Sequence, residues 1–179
     1  MPISRTLRQP NFDSHWVSVR RAGLIQAPQA WRSWLTDSGS LTKRLTALSK
    51  GQFRVNLVYQ GWQQPGRSEA RALAMPGRQK ALIREVELIG ANQTWVYART
   101  VIPSSTLTGR HRTLKQLGNR SLGSLLFSDP GMKRGPLQVS HLRLSDRKTR
   151  VWARRSLFYL SDKPLLVCEV FLPALQQVE

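Results

Sequence analysis

Residues 149–172 read TRVWARRSLFYLSDKPLLVCEVFL. Two runs rich in β-branched and aromatic residues, 149–160 and 164–172, flank Ser161–Lys163, a set of turn formers. A turn this short joins antiparallel neighbours, because a parallel pair needs a long crossover. The same pattern extends outward from this hairpin. Residues 137–145 (LQVSHLRLS) lead into it through the turn Ser145–Lys148. Further upstream, 80–89 (KALIREVELI) and 93–102 (QTWVYARTVI) meet at Asn92. Before them Phe53, Val55, Leu57 and Tyr59 alternate with Arg54, Asn56 and Gln60, the period of a half-buried strand. Six strands in one antiparallel sheet are therefore expected.

The remaining segments read as short helices and loops. Residues 29–37 (QAWRSWLTD) form one expected helix, ending near Gly39. A second runs over 41–49 (LTKRLTALS), with Ser40 as N-cap and Gly51 as stop. A third, 122–127 (LGSLLF), follows Ser121 inside the irregular stretch 103–135. Residues 63–80, with Pro65 and Pro76, read as a loop or a poorly formed helix. Residues 1–30 show no clear period and read as an arm that packs loosely or frays. The fold class is α+β, one domain over 1–179, a size that supports one real core.

The pleat sends successive side chains to opposite faces. In 80–89, Leu82, Arg84, Val86 and Leu88 share one side, and Ile83, Glu85 and Glu87 the other. In 164–172, Glu169 goes with Val167 and Phe171, away from Leu166, Cys168 and Val170. Arg84 and Glu169 are thus charges on apolar faces, and such charges are paired, neutralised or functional. Three readings stand: a salt bridge between the two, side chains that reach the rim, or a pocket with a cation at one end and an acid at the other. In the last, desolvation would raise the carboxyl above its ordinary value and suit it to proton transfer near neutral pH. The helix starts Ser40-Leu41 and Ser121-Leu122 share a layout in which the first backbone amides lack a helical acceptor. Each end is either a plain cap hydrated by water or a seat for a carboxylate.

Composition narrows the class of function. There are 28 Lys+Arg against 10 Asp+Glu, a net charge of +18, spread along the chain without a block. That balance fits a solvated basic surface, a polyanionic partner, or an anionic small substrate. No P-loop, zinc-finger spacing, RNP pattern or recognition helix marks a specific nucleic-acid binder, and no G-x-S-x-G elbow marks a serine hydrolase. His15, His111 and His141 lie far apart, and Cys168 is the sole cysteine, so a metal centre and an internal disulfide are not expected. No apolar run is long enough to span a bilayer, and no signal peptide is read at the start; both favour the cytoplasm.

WLTDSGSLTKRL, IREVEL, ARTVIPSSTLTG, LKQLGNRSLGSLLF and WARRSLFYLSDKPLLVCEVFLPA resemble, in order, the chorismate pyruvate-lyase family, over about Trp31 to Ala174. The resemblance implies a monomer with a six-stranded sheet and helical flaps closing over a buried site, with no metal or organic cofactor. It implies cleavage of chorismate to pyruvate and 4-hydroxybenzoate, the aromatic precursor of ubiquinone. It places the ring carboxylate on Arg84 and on the backbone amides of Leu41 and Leu122, and the hydroxyl end at Glu169. The position of Leu41 is often Met in relatives, which a backbone contact tolerates. Arg154 and Arg155 are candidates for the pyruvyl carboxylate, against a solvated strand face. The segments 31–49 and 111–127 are the expected moving parts. A module of the same fold that binds a small acid without turning it over is the main alternative.

Overall fold

The computed structural model describes residues 10–20, 26–146 and 148–178. Its strands are β1 (Val17–Ser18), β2 (Phe53–Gln63), β3 (Ala81–Gly90), β4 (Gln93–Pro103), β5 (Lys133–Arg134), β6 (Gln138–Arg143), β7 (Arg150–Leu160) and β8 (Lys163–Phe171). They form one sheet in the order β1-β6-β7-β8-β4-β3-β2, with β5 also paired to β7, and every pair is antiparallel. The helices are α1 (Gln29–Thr36), α2 (Leu41–Leu48), α3 (Arg67–Ala72) and α4 (Leu122–Ser128).

The six expected strands are present, but the sheet has eight among the described residues, which corrects the expected count. The additional β1 and β5 are two residues each, too short to show a period of two. β1 also corrects the reading of a loose arm. Trp16 is buried, Val17 and Ser18 pair with β6, and Ser140 Oγ donates to the carbonyl of His15 at 2.7 Å. Residues 1–9 and 21–25 of that arm lie outside the described residues. Part of 63–80 also gains definition: β2 continues to Gln63, and α3 forms where Glu69 Oε2 accepts the amide of Gly66 at 2.9 Å.

Two hairpins set the register of the centre. Ala91 and Asn92 join β3 to β4, and Ser161 and Asp162 join β7 to β8; all four have positive φ. Such two-residue turns twist as the strands do and admit one pairing. Both faces of the sheet are covered. On one, Ile83, Val101 and Leu166 pack with Leu73, while Tyr97, Cys168 and Val170 pack with Trp16 and Leu142. On this face Arg99 bridges Glu69 at 2.6 Å and Glu85 at 2.7 Å. On the other, α1 and α2 bring Trp31, Trp34, Leu41 and Leu45 onto Val86, Leu88 and Phe171. Beside them the 104–128 segment lays Leu114, Leu122 and Leu126 over Leu82, Val167 and Phe158. These two coverings meet where α2 and α4 begin. Among the described residues no helix is long and apolar enough to cross a membrane.

Candidate active site

Between the sheet and the starts of α2 and α4 lies a cavity with about 550 Å³ of empty space, part of it open solvent. Its floor is Arg84, Val86 and Leu88 of β3, Ala98 and Thr100 of β4, Val167 and Glu169 of β8, and Phe158 of β7. Its roof is Gly39, Leu41 and Thr42 on one side and Ser121, Leu122, Gly123, Leu126 and Phe127 on the other, with Arg134 also in the wall. All four residues expected from the sequence (Arg84, Glu169, Leu41 and Leu122) line this one space.

Arg84 and Glu169 do not pair with each other. Arg84 stands across from Thr100, Thr100 from Val167, and Glu169 from Ala98. Two strand spacings and a two-residue offset put their Cα atoms roughly 12 Å apart. Arg84 is 2% exposed, and its Nη2 donates to the carbonyls of Gly118 at 2.9 Å and Arg120 at 2.8 Å. Its Nε is buried without a hydrogen-bond partner. Among the described residues no carboxylate offsets the burial, which pulls the guanidinium down from its usual value to about 10. A buried cation with an idle donor is costly unless an anion completes it.

Glu169 is held differently from the expectation. The readings from the sequence were a salt bridge to Arg84, a side chain reaching the rim, or an acid at one end of a pocket, and none of them included Arg154. Arg154 lies directly across the β7–β8 pair, and its Nε donates to Glu169 Oε2 at 2.5 Å. Arg154 is itself 1% exposed, and its Nη1 donates to the carbonyls of Trp34 at 2.8 Å and Asp37 at 2.5 Å. The ion pair is thereby tied to the end of α1, and it leaves Glu169 Oε1 without a hydrogen bond. Counting back from the turn at Ser161 and Asp162 would have found this partner, since Leu160 pairs with Lys163 and hence Arg154 with Glu169. Arg155, the other arginine singled out from the sequence, points to the opposite face. It donates to Gln138 Oε1 and Ser68 Oγ, both at 2.8 Å, and stands over the Trp16 ring. It is no part of the cavity.

The caps at the two helix starts form as expected. Ser40 Oγ accepts the amide of Lys43 at 3.3 Å, and Ser121 Oγ that of Ser124 at 3.1 Å. Leu41 and Leu122 occupy the first helical positions, where amides have no acceptor within the helix. The two starts also touch: Thr42 Oγ1 and Ser121 Oγ share a hydrogen bond of 2.7 Å.

One wall residue carried no sequence signal. Arg134 donates from Nε to Ser156 Oγ at 3.0 Å and from Nη1 to the Ser38 carbonyl at 2.8 Å, with Gly39 O at 3.4 Å. Burial and the neighbouring Arg154 lower its guanidinium, while Glu169 and Asp37 raise it in part. The site thus gathers Arg84, Arg134 and Arg154 against Glu169, a surplus of two positive charges; the nearby Asp37 carboxylate faces Arg44 at 3.5 Å. This charge and shape suit a flat, apolar ring that carries carboxylates.

Solved structures share the architecture at low identity. The effector domain of PhnF from Mycobacterium smegmatis aligns with a TM-score of 0.54 and 16% identity, over 76% of this chain and 90% of that one. A GntR-family transcriptional regulator from Bacillus cereus gives 0.52 and 12%, over 69% and 93%. Sequence relatives are much nearer. A protein of Pseudomonas aeruginosa (strain UCBPP-PA14) named "Probable chorismate pyruvate-lyase" is 45% identical over 79% of this chain and 83% of its own. One of the same name from Marinobacter nauticus is 42% identical over 99% and 97%. The family profile described as chorismate lyase matches residues 15–178, and the chain belongs to the chorismate lyase family.

Proposed function

We propose that this protein cleaves chorismate to 4-hydroxybenzoate and pyruvate, as a carbon–oxygen lyase acting on a cytoplasmic metabolite that feeds ubiquinone synthesis. The observation that carries the reading is Arg84, a buried guanidinium without a counter-ion among the described residues, sharing a largely apolar cavity with a carboxylate whose Oε1 has no hydrogen bond among them. Family membership and the names of relatives across almost the whole chain support it. We read residues 1–179 as one domain acting as a monomer.

In this reading Arg84 Nε and the amides of Leu41 and Leu122 take the ring carboxylate. A guanidinium and two helix starts suit that planar anion. Val86, Leu88, Ala98 and Val167 of the floor lie under one face of the ring, and Leu41 and Leu122 of the roof lie over the other. Glu169 meets the hydroxyl end, clamped by Arg154 so that Oε1 faces the substrate. The bond between the ring and the enolpyruvyl oxygen breaks, and the hydrogen on the hydroxyl-bearing carbon leaves. The ring becomes aromatic, and the proton finishes on the methylene carbon of the side chain, which becomes pyruvate. Aromatisation supplies much of the driving force, so the protein's contribution is orientation and one proton. Glu169 acts as the base for that proton.

The test is pyruvate release from chorismate by the purified chain, with 4-hydroxybenzoate followed by absorbance. Equimolar appearance of both products is expected. Binding of chorismate without turnover would mark a small-acid receptor of the same fold instead.

A further inference from the structure

The substrate proposed above is a dianion, and Arg84 with two amides accounts for one of its carboxylates. Neither arginine suggested by the sequence is placed to take the other. Arg154 is ion-paired with Glu169 and is not among the residues that line the cavity, and Arg155 lies on the far face. We propose that Arg134 holds the enolpyruvyl carboxylate, forming a second anion subsite at the Glu169 end of the cavity. This rests on the reading of the site as one for chorismate.

Four observations support the assignment. Arg134 lines the same cavity as Arg84 and Glu169. Its guanidinium is oriented in advance by Ser156 Oγ, by the Ser38 carbonyl and by the Phe158 ring, whose centroid lies 4.8 Å away. These contacts use Nε and Nη1 and leave Nη2 without a hydrogen bond. Among the described residues no carboxylate makes an ion pair with it. A fork fixed on one edge and open on the other suits a carboxylate arriving from the cavity.

Substrate chemistry selects this end of the site. The enolpyruvyl ether sits on the ring carbon adjacent to the one bearing the hydroxyl. With the ring carboxylate at Arg84 and the hydroxyl at Glu169, the side chain leaves the ring beside Glu169. Arg134 is the second cation there, close enough for the Glu169 charge to act on it. Once the carbon–oxygen bond breaks, the carboxylate on Arg134 departs with pyruvate, and 4-hydroxybenzoate has no group for that subsite. Arg134 therefore discriminates substrate from product, whereas Arg84 grips both.

The experiment compares wild type, R134Q and R134K by two readings: KM for chorismate from pyruvate release, and Kd for 4-hydroxybenzoate by titration. R134Q is expected to raise KM tenfold to a hundredfold and leave the product Kd within twofold. That unchanged Kd also reports an intact fold. R134K keeps the charge without the fork; it is expected to raise KM three- to tenfold with the same unchanged Kd, and it stands alone as the test if R134Q does not fold. An unaltered KM, or equal loss of substrate and product affinity, overturns the proposal. If wild type binds chorismate without releasing pyruvate, the enzymatic reading fails, and the ratio of chorismate to 4-hydroxybenzoate affinities still decides the role of Arg134.

Discussion

Arg84 costs the fold stability at neutral pH, because its charge is buried and no carboxylate among the described residues opposes it. Burial lowers its guanidinium from the ordinary value to about 10 in the folded chain. Between about 10 and the ordinary arginine value the unfolded chain binds more protons, so this group's contribution to stability is greatest above that ordinary value and is lost as pH falls through about 10. Ligand binding has the opposite sign, because a carboxylate needs the cation. Affinity for benzoate, which has no phenol to confuse the titration, should fall as pH rises through about 10; calorimetry from neutral to alkaline pH measures it, and a flat profile would remove Arg84 as the anchor. Arg84→Gln should weaken 4-hydroxybenzoate binding by roughly 2–3 kcal/mol, the worth of a charged hydrogen bond. Glu169→Gln should lower turnover at least about a hundredfold, the usual share of a general base. It should also lower stability by roughly 2–4 kcal/mol, because Arg154 would remain buried without its carboxylate. Pyruvate release and thermal melting read the two effects separately, and near-normal turnover would take Glu169 out of the chemistry. Face parity singled out both residues, since each is a charge in phase with an apolar row, and the family resemblance supplied the roles expected of them. Arg134 left no such trace, because a two-residue strand has no row to be in phase with.

At the scale of elements, the long strands were legible and the short ones were not. β3, β4, β7 and β8 carry enough β-branched and aromatic residues to declare themselves, and their tight turns allow only antiparallel pairing. β1 and β5 are paired because the tertiary fold brings them to an edge, which no local pattern reports. The 3-10 turns at Ser104–Thr106 and Gly109–Gln116 were likewise hidden in a stretch read only as irregular. The helix starts were marked by their capping serines, but the contact between them is long-range. Thr42 Oγ1 meets Ser121 Oγ at 2.7 Å, and a Cβ on Gly123 would fall 2.7 Å from the same Thr42 oxygen. Gly123 thus permits the two helix starts to approach each other. Gly123→Ala should turn Thr42 away and break that bond. We expect release of 4-hydroxybenzoate to quicken roughly tenfold, in line with ~1.4 kcal/mol for a lost hydrogen bond. The melting temperature should barely move, because the sheet does not depend on this contact. Stopped-flow displacement of bound product checks it, and an unchanged release rate would show that the flaps open independently of this latch.

For the whole molecule, the unexplained quantity is the charge. The net +18 is distributed along the entire chain, whereas the cavity uses only three arginines and one glutamate. Contacts inside the site therefore do not account for most of it. A protein-wide positive field does act on a dianion at a distance, drawing it toward the surface before any contact forms. Salt shortens that reach from about 30 Å at 0.01 M to about 3 Å at 1 M. If the field captures substrate, kcat/KM for chorismate should fall about tenfold over that range, within the span seen for steered association. The turnover number at saturation should stay within about twofold, because buried pairs such as Arg154 with Glu169 are poorly screened. A neutral viscogen separates this from simple diffusion control, since it slows encounter without screening charge. Should kcat/KM be indifferent to salt, the surface arginines and lysines serve solubility or another anionic partner, and capture rests on Arg84 and its neighbours alone.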